Sequence, residues 1–392
     1  MNLDYRFAKI TLLLLVGLLS GCSLLNREKD VVQISPLPTV VNQLAIQKSW
    51  QRRIGQGVGP FYSRLQPAYH QDKLYVADRQ GNVAALNAKT GDIIWNIRLT
   101  GPDKKCNALL SGGITVADKQ LLLASENAEV IALQAVDGQI AWRQSVSGEV
   151  ISQPLCYQGM VIIHTNNGAL EALEQQTGQM RWQQILDIPM LSLRGSSNPV
   201  ACIEGIVVIG SKNGCVHAFT VEQGELLWQQ QIAQPTGATE LDRLNDVAAT
   251  PRIVGDRVFA LSYHGTLSAL ALHSGQVIWQ RPISSASDFM VDGDRLIIVD
   301  QSDAIIALDS RSGLEIWRQT ALRYRQLTSP TRYQDCLVVG DAQGYLHWLS
   351  PDDGQFVAQQ WLHRSGLYTA PVVTGEQLVV QTRKGQVFAV SK

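Results

Sequence analysis

An all-β fold, an eight-bladed β-propeller with four-stranded antiparallel blades, is predicted by three features of this 392-residue chain. A glycine-led phrase, Gly81-Asn82-Val83-Ala84-Ala85-Leu86, recurs with starts at Gly81, Ala128, Gly168, Gly214, Gly265, Asp303, Gly344 and Gly385. The intervals are 47, 40, 46, 51, 38, 41 and 41 residues, close to the blade period of about 40–45 residues. Within each unit a Thr-Gly-type turn is followed by an aromatic residue: Trp95, Trp142, Trp182, Trp228, Trp279, Trp317 and, in the seventh, Phe356. The eighth copy stops at Lys392 without its last strand, while Trp50 stands one period before Trp95 with no unit of its own.

At the start of the chain, residues 1–21 read as an export signal. Arg6 and Lys9 precede the apolar run Leu12-Leu13-Leu14-Leu15-Val16, which is too short to span a bilayer. Leu19-Ser20-Gly21-Cys22 resembles a bacterial lipobox, in which the cysteine is lipidated and becomes the first mature residue. Acyl chains on Cys22 would anchor the protein stably, each buried methylene contributing about 0.8 kcal/mol. Ser23 follows, and the usual sorting rule reserves Asp there for inner-membrane retention, so placement at the outer membrane is implied. Residues 22–44 lack the repeat, contain Pro36 and Pro38, and read as a flexible tether reaching at most roughly 70 Å.

Residues 45–392 then form one propeller domain. Lys48-Ser49-Trp50-Gln51-Arg52 is an outer strand with nothing before it to pair with, so it completes the last blade and removes the exposed edges. In the first full unit, the innermost strand lies around Pro67-Ala68-Tyr69 and the second is Lys73-Leu74-Tyr75-Val76-Ala77. A polar turn ending at Gly81 leads to the third strand, 83–86, and the fourth begins at Ile93-Ile94-Trp95. Strands apolar on both faces fit blades stacked between neighbours.

Lys plus Arg number 33 and Asp plus Glu 34, a balance that gives no bias toward nucleic acid. Beyond Cys22 five cysteines remain, an odd number, and unpaired buried thiols are favoured over bridges because strand pairing already closes the ring. The chain has no His-Glu-x-x-His, Gly-x-Ser-x-Gly, phosphate loop or Cys-x-x-Cys, so no catalytic, metal or cofactor residue is assigned. His217 and His347 share one repeat position but lie three blades apart, roughly 135° around the ring, and cannot meet on one ion.

Function is sought where the repeat is interrupted, because insertions there leave the core intact. Two consecutive blade connections stand out, 187–197 after Trp182 and 234–246 after Trp228. Both leave an outer strand for the next inner strand, so they emerge side by side on one face. Together they would present Met190, Leu191 and Leu193 beside Arg194, Asp242, Arg243 and Asp246, an apolar cluster rimmed by charges and fit to bind a protein. Arg318, Arg323 and Arg325 form a basic cluster on the same face, read as a solvated loop.

The phrase Leu86 to Trp95 resembles the Trp motifs of quinoprotein alcohol dehydrogenases, where it is a blade-packing device; their vicinal Cys-Cys pair and long insertions are missing here. The whole chain resembles the BamB family, the propeller lipoproteins of the outer-membrane β-barrel assembly (Bam) complex. The likeness is carried by the lipobox, the Pro-containing tether and the eight units. It is sharpened by Ser35-Pro36-Leu37-Pro38, Leu110-Ser111-Gly112-Gly113, Leu191-Ser192-Leu193-Arg194-Gly195, Asp242-Arg243-Leu244 and Gly344-Tyr345-Leu346-His347-Trp348.

The resemblance implies a non-enzymatic periplasmic scaffold that binds the POTRA domains of BamA and, through it, the rest of the complex, and that assists unfolded outer-membrane protein clients. It places the BamA contact on Leu191, Leu193, Arg194 and Asp246; Ala248 stands where a second acid often occurs. A quinoprotein-like dehydrogenase, or a scaffold of another envelope system, is the alternative.

Overall fold

The computed structural model describes residues 33–103, 105–189, 191–193, 197–202 and 204–392. The signal segment, Cys22, Met190 and Arg194 lie outside the described residues. Described residues include thirty-two strands and no helix. The strands form eight four-stranded antiparallel sheets, as the repeat predicts. Blades 1 to 7 occupy residues 68–98, 115–145, 155–185, 200–231, 252–281, 290–319 and 331–361. The eighth takes three strands from 372–391 and its fourth, Gln47–Arg53, from the opposite end of the chain. That strand pairs antiparallel with Gln386–Ser391, Trp50 facing Ala389.

Period-two patterning explains why the blades stack. The second and third strands of each blade are buried on both faces; Gln120–Ser125, for example, is buried at every position. The fourth strands alternate between exposed and covered residues, as at Leu226–Gln231. The first strands of successive blades lie beside one another around the axis. The core is a ring of eight inter-blade clusters, such as Tyr75, Ala85 and Leu99 of blade 1 against Leu121 and Leu133 of blade 2.

The Trp of each fourth strand is a staple to the next blade. Trp95 Nε1 donates to the carbonyl of Ala135 at 3.2 Å, Trp142 to Gln175 at 2.8 Å and Trp182 to Val221 at 2.9 Å. Trp228 likewise bonds Leu272, Trp279 bonds Ser310 and Trp317 bonds Pro351. Each acceptor lies in the turn between the third and fourth strands of the following blade. The glycine of that turn has positive φ and lies flat on the indole. A Cβ on Gly224 would stand 2.6 Å from the Trp182 ring. Trp50 closes the series by bonding Ala88 at 3.0 Å, with Gly91 beneath it.

This explains Phe356. The receptor for a staple from blade 7 would be the turn joining the third and fourth strands of blade 8, and in that blade the two strands belong to opposite ends of the chain. No turn exists there for an indole to cover.

Residues 35–44, assigned to the tether on sequence, lie along blade 7. Gln43 N–H donates to Val357 O at 2.8 Å, and the Asn42 amide pairs with the backbone of Gln359 in both directions, at 3.1 and 2.8 Å. Leu44 and Ile46 pack on the cluster holding Tyr333, Trp348 and Phe388. The segment forms no regular strand, and its hold on blade 7 comes partly from the Asn42 side chain, so no period-two pattern marks it.

Two further readings change. Arg325 is not a solvated residue: it is 2 % exposed, its guanidinium bonding Asp341 at 2.8 Å. Arg318 is paired with Glu315 and Asp300. Arg323 stays exposed, as the solvated reading expects, and carboxylates take the other two arginines. All five described cysteines are free, as expected, but only Cys215 and Cys336 are buried; Cys156 and Cys202 are half-buried and Cys106, in a blade connection, is exposed. His217 and His347 are buried in their separate blades, the latter against Asp341 at 3.0 Å.

Candidate partner-binding site

Strand alternation puts every connection between blades, and every turn between second and third strands, on one face of the disc, here termed the connector face. The two connections marked in sequence flank blade 4, one entering it and one leaving it. Between them runs a groove of about 820 Å³. Ile188, Pro189 and Leu191 form one wall, Pro235, Glu240, Arg243 and Leu244 the other, and Lys212-Asn213 of blade 4 the floor.

Each wall is fixed from within. Asp187 O accepts a hydrogen bond from Asn213 Nδ2 at 3.0 Å, and Ala233 O accepts one from Asn245 Nδ2 at 3.0 Å. Lys212 is buried and donates to the side-chain oxygen of Asn166 at 2.6 Å; burial lowers its affinity for the proton. In the second wall Thr239 and Asp242 cap each other: Thr239 N–H donates to the Asp242 carboxylate at 3.1 Å and Asp242 N–H to Thr239 Oγ1 at 3.2 Å. Hydrogen bonding to its carboxylate, first by the Thr239 hydroxyl and then by the Thr239 N–H, holds the Asp242 carboxyl below its usual range. Arg243 Nε donates to Gly237 O at 3.2 Å, which keeps its side chain over the groove, 3.5 Å from Glu240.

The predicted residues therefore divide. Leu191 is 51 % exposed at the groove and Leu241 70 % exposed on the tip opposite. Leu193 is half-buried and turns the other way, into the mouth of the axial channel. The loop is thus a partition with one leucine on each side. Asp242 and Arg243 are exposed.

Asp246 is not a rim charge. It is 1 % exposed, and its carboxylate accepts the backbone N–H of Leu193 at 2.6 Å. Its place in sequence next to the inner strand of blade 5 pulls it inward. Ala248 is buried as well, its carbonyl taking a hydrogen bond from Arg64, which also meets Asp288 at 3.2 Å across the channel mouth.

Sequence reasoning missed Lys212 and Asn213. They belong to a turn of ordinary repeat length, so no insertion marks them. The face assignment alone could have found them, because it puts the blade 4 turn between the two connections. Among the described residues no group of three or more His, Cys, Asp or Glu side chains is placed to hold a metal ion.

A family model for outer membrane protein assembly factor BamB matches residues 39–108, 103–319 and 304–392. The outer membrane protein assembly factor BamB of Yersinia pestis is 49 % identical over 381 residues, covering 96 % of this chain and 97 % of that protein. The chain belongs to the BamB family. Among solved structures, BamB from Moraxella catarrhalis superposes with a TM-score of 0.79 at 25 % identity, covering 88 % of this chain and 100 % of that one. A quinohemoprotein alcohol dehydrogenase from Comamonas testosteroni gives 0.71 at 12 % identity, covering 88 % of this chain and 76 % of that one, a likeness of fold alone. As a BamB-family propeller, this chain is a scaffold of outer-membrane protein assembly.

Proposed function

We propose that this scaffold is non-enzymatic, anchored by lipid on Cys22 to the periplasmic face of the outer membrane, and that it binds the POTRA domains of BamA through the groove at blade 4. Binding would present BamA and the rest of the Bam complex with a rigid disc that helps deliver unfolded outer-membrane proteins. The supporting observation is the convergence of the two insertions. They build one apolar groove whose walls are hydrogen-bonded into place and whose lining includes the exposed Leu191 and the half-buried Leu244. A partner's apolar side chain entering between Leu191 and Leu244 would cover both leucines, worth roughly 25 cal/mol per Å² of apolar surface removed from water. Arg243 and Glu240 at the rim supply charges of both signs for orientation.

Arg194 is carried into this reading from the family phrase, as the donor to a partner carbonyl or carboxylate. Co-purification with BamA tests it: Arg194→Glu should lose most of the recovered BamA while the propeller melts at its usual temperature. Undiminished recovery would sink the assignment.

A further inference from the structure

The segment 35–44 is a built strap. Its upper end is held at the connector face, where Ser35 N–H donates to Arg323 O at 3.0 Å and Arg325 Nη1 donates to Ser35 O at 3.1 Å. Its lower end is held by Asn42 and Gln43 on the outer edge of blade 7. Both ends meet one internal network. Arg325 bonds Asp341, Asp341 bonds His347 Nε2 at 3.0 Å, and His347 Nδ1 meets the Gln359 amide at 3.1 Å. Gln359 is the residue whose backbone the Asn42 amide grips. Arg325 and Asp341 are the most buried oppositely charged pair among the described residues, at 2 % and 0 % side-chain exposure.

The direction of the strap decides where the chain leaves the disc. The fourth strand of blade 7, Phe356–Trp361, runs toward the connector face, and the strap runs antiparallel to it. Followed backward from Leu44, the chain climbs the rim and departs beside Arg323, on the face that carries the groove. Docking also shortens the leash. If Cys22 is the anchor, residues 23–34 can reach at most about 40 Å from the docked strap, against about 80 Å for residues 23–45 with the strap released.

We infer that the strap turns the connector face, and the groove on it, toward the lipid surface. The inference rests on the lipid anchor at Cys22 and adds to it a defined orientation. An anchor leaving the opposite face would point the groove away from the membrane with the same fold and the same lipid.

Energy transfer tests this on the full lipidated chain bound to phosphatidylethanolamine–phosphatidylglycerol vesicles carrying a headgroup acceptor. A donor is placed by click chemistry at position 384 or at position 89, exposed turn residues on the connector face and on the opposite face of adjacent blades. Attachment through an unnatural residue avoids the five thiols. Transfer from position 384 should exceed that from position 89 at least twofold. Asn42→Ala and Gln43→Pro combined with Ser35→Pro, which removes the strap's bonds to the edge of blade 7 and its donor to Arg323 O without touching a blade, should bring the two values together. Equal transfer in the unaltered chain, or greater transfer from position 89, overturns the orientation. A chain that fails to float with vesicles, or a Cys22→Ser chain that floats equally well, removes the lipid anchor itself and the orientation with it.

Discussion

The carboxylate of Asp246 accepts the backbone N–H of Leu193 at 2.6 Å, joining the two connections that flank blade 4. Asp246 is buried, and its bond to Leu193 positions the loop on which Leu191 and Leu193 stand. Asp246→Ala should therefore cost about 1.5–3 kcal/mol of stability, the range for a hydrogen bond to a charged group. It should also weaken BamA recovery through a loosened loop. Hydrogen exchange at residues 187–193 distinguishes this from a lost contact. Faster exchange there with the blades unchanged is the expected pattern, and an unchanged loop with lost binding would make Asp246 a direct contact instead.

The Trp staples make the glycines of the turns irreplaceable for steric reasons beyond backbone conformation. Gly224 and Gly205 both have positive φ, 71° and 76°, but a Cβ on Gly224 meets the Trp182 ring at 2.6 Å while one on Gly205 meets nothing within 4 Å. Gly205→Ala should cost about 1–2 kcal/mol, the left-handed penalty alone. Gly224→Ala should add about 1–3 kcal/mol of overpacking. Urea midpoints of the two variants measure the difference directly, and equal losses would contradict the staple.

Ring closure depends on Trp50, which is 7 % exposed and bonds across to blade 1. Trp50→Ala should cost about 3–5 kcal/mol and open the seam between blades 8 and 1 before any other. Protease cleavage should begin at residues 45–53. Uniform melting with no early cleavage there would show that the seam is no weaker than the other seven junctions.

Acid should weaken the propeller through its buried histidines. Burial lowers His164 and His217 from 6.5 to about 4, so both are neutral in the native state. The unfolded chain takes up protons near 6.5, so the stability from keeping these rings neutral is complete above that pH. It is lost as the pH falls from about 6.5 toward 4, at up to about 1.4 kcal/mol per pH unit for each histidine. Stability of His217→Leu should fall less steeply between pH 7 and pH 5 than that of the parent chain. Parallel slopes would remove His217 from the account.

Much of this was legible in the sequence, and the reasons for the gaps are physical. A repeat forced by stacked blades leaves Gly and Trp at fixed intervals, so blade number, closure by the strand at Trp50 and the shared face of the two insertions follow from spacing. What spacing cannot reveal is which polar side chains turn inward. Asp246 and Arg325 carry charge and sit in connections, yet both are buried because a backbone N–H or a carboxylate waits for them inside. The strap was missed for a related cause: Asn42 pairs through its side-chain amide and gives no alternating pattern. In sequence Phe356 simply takes the Trp position of the seventh unit. It marks instead the one junction where the turn to be covered does not exist.

The central claim is that the groove at blade 4 holds BamA, and site-specific photocrosslinking in cells tests it most directly. A photoreactive residue at position 191, on the exposed wall of the groove, should yield an adduct containing a BamA POTRA domain. The same residue at position 93, exposed on the outer strand of blade 1, should not. BamA captured from position 93 and not from position 191 would contradict the account.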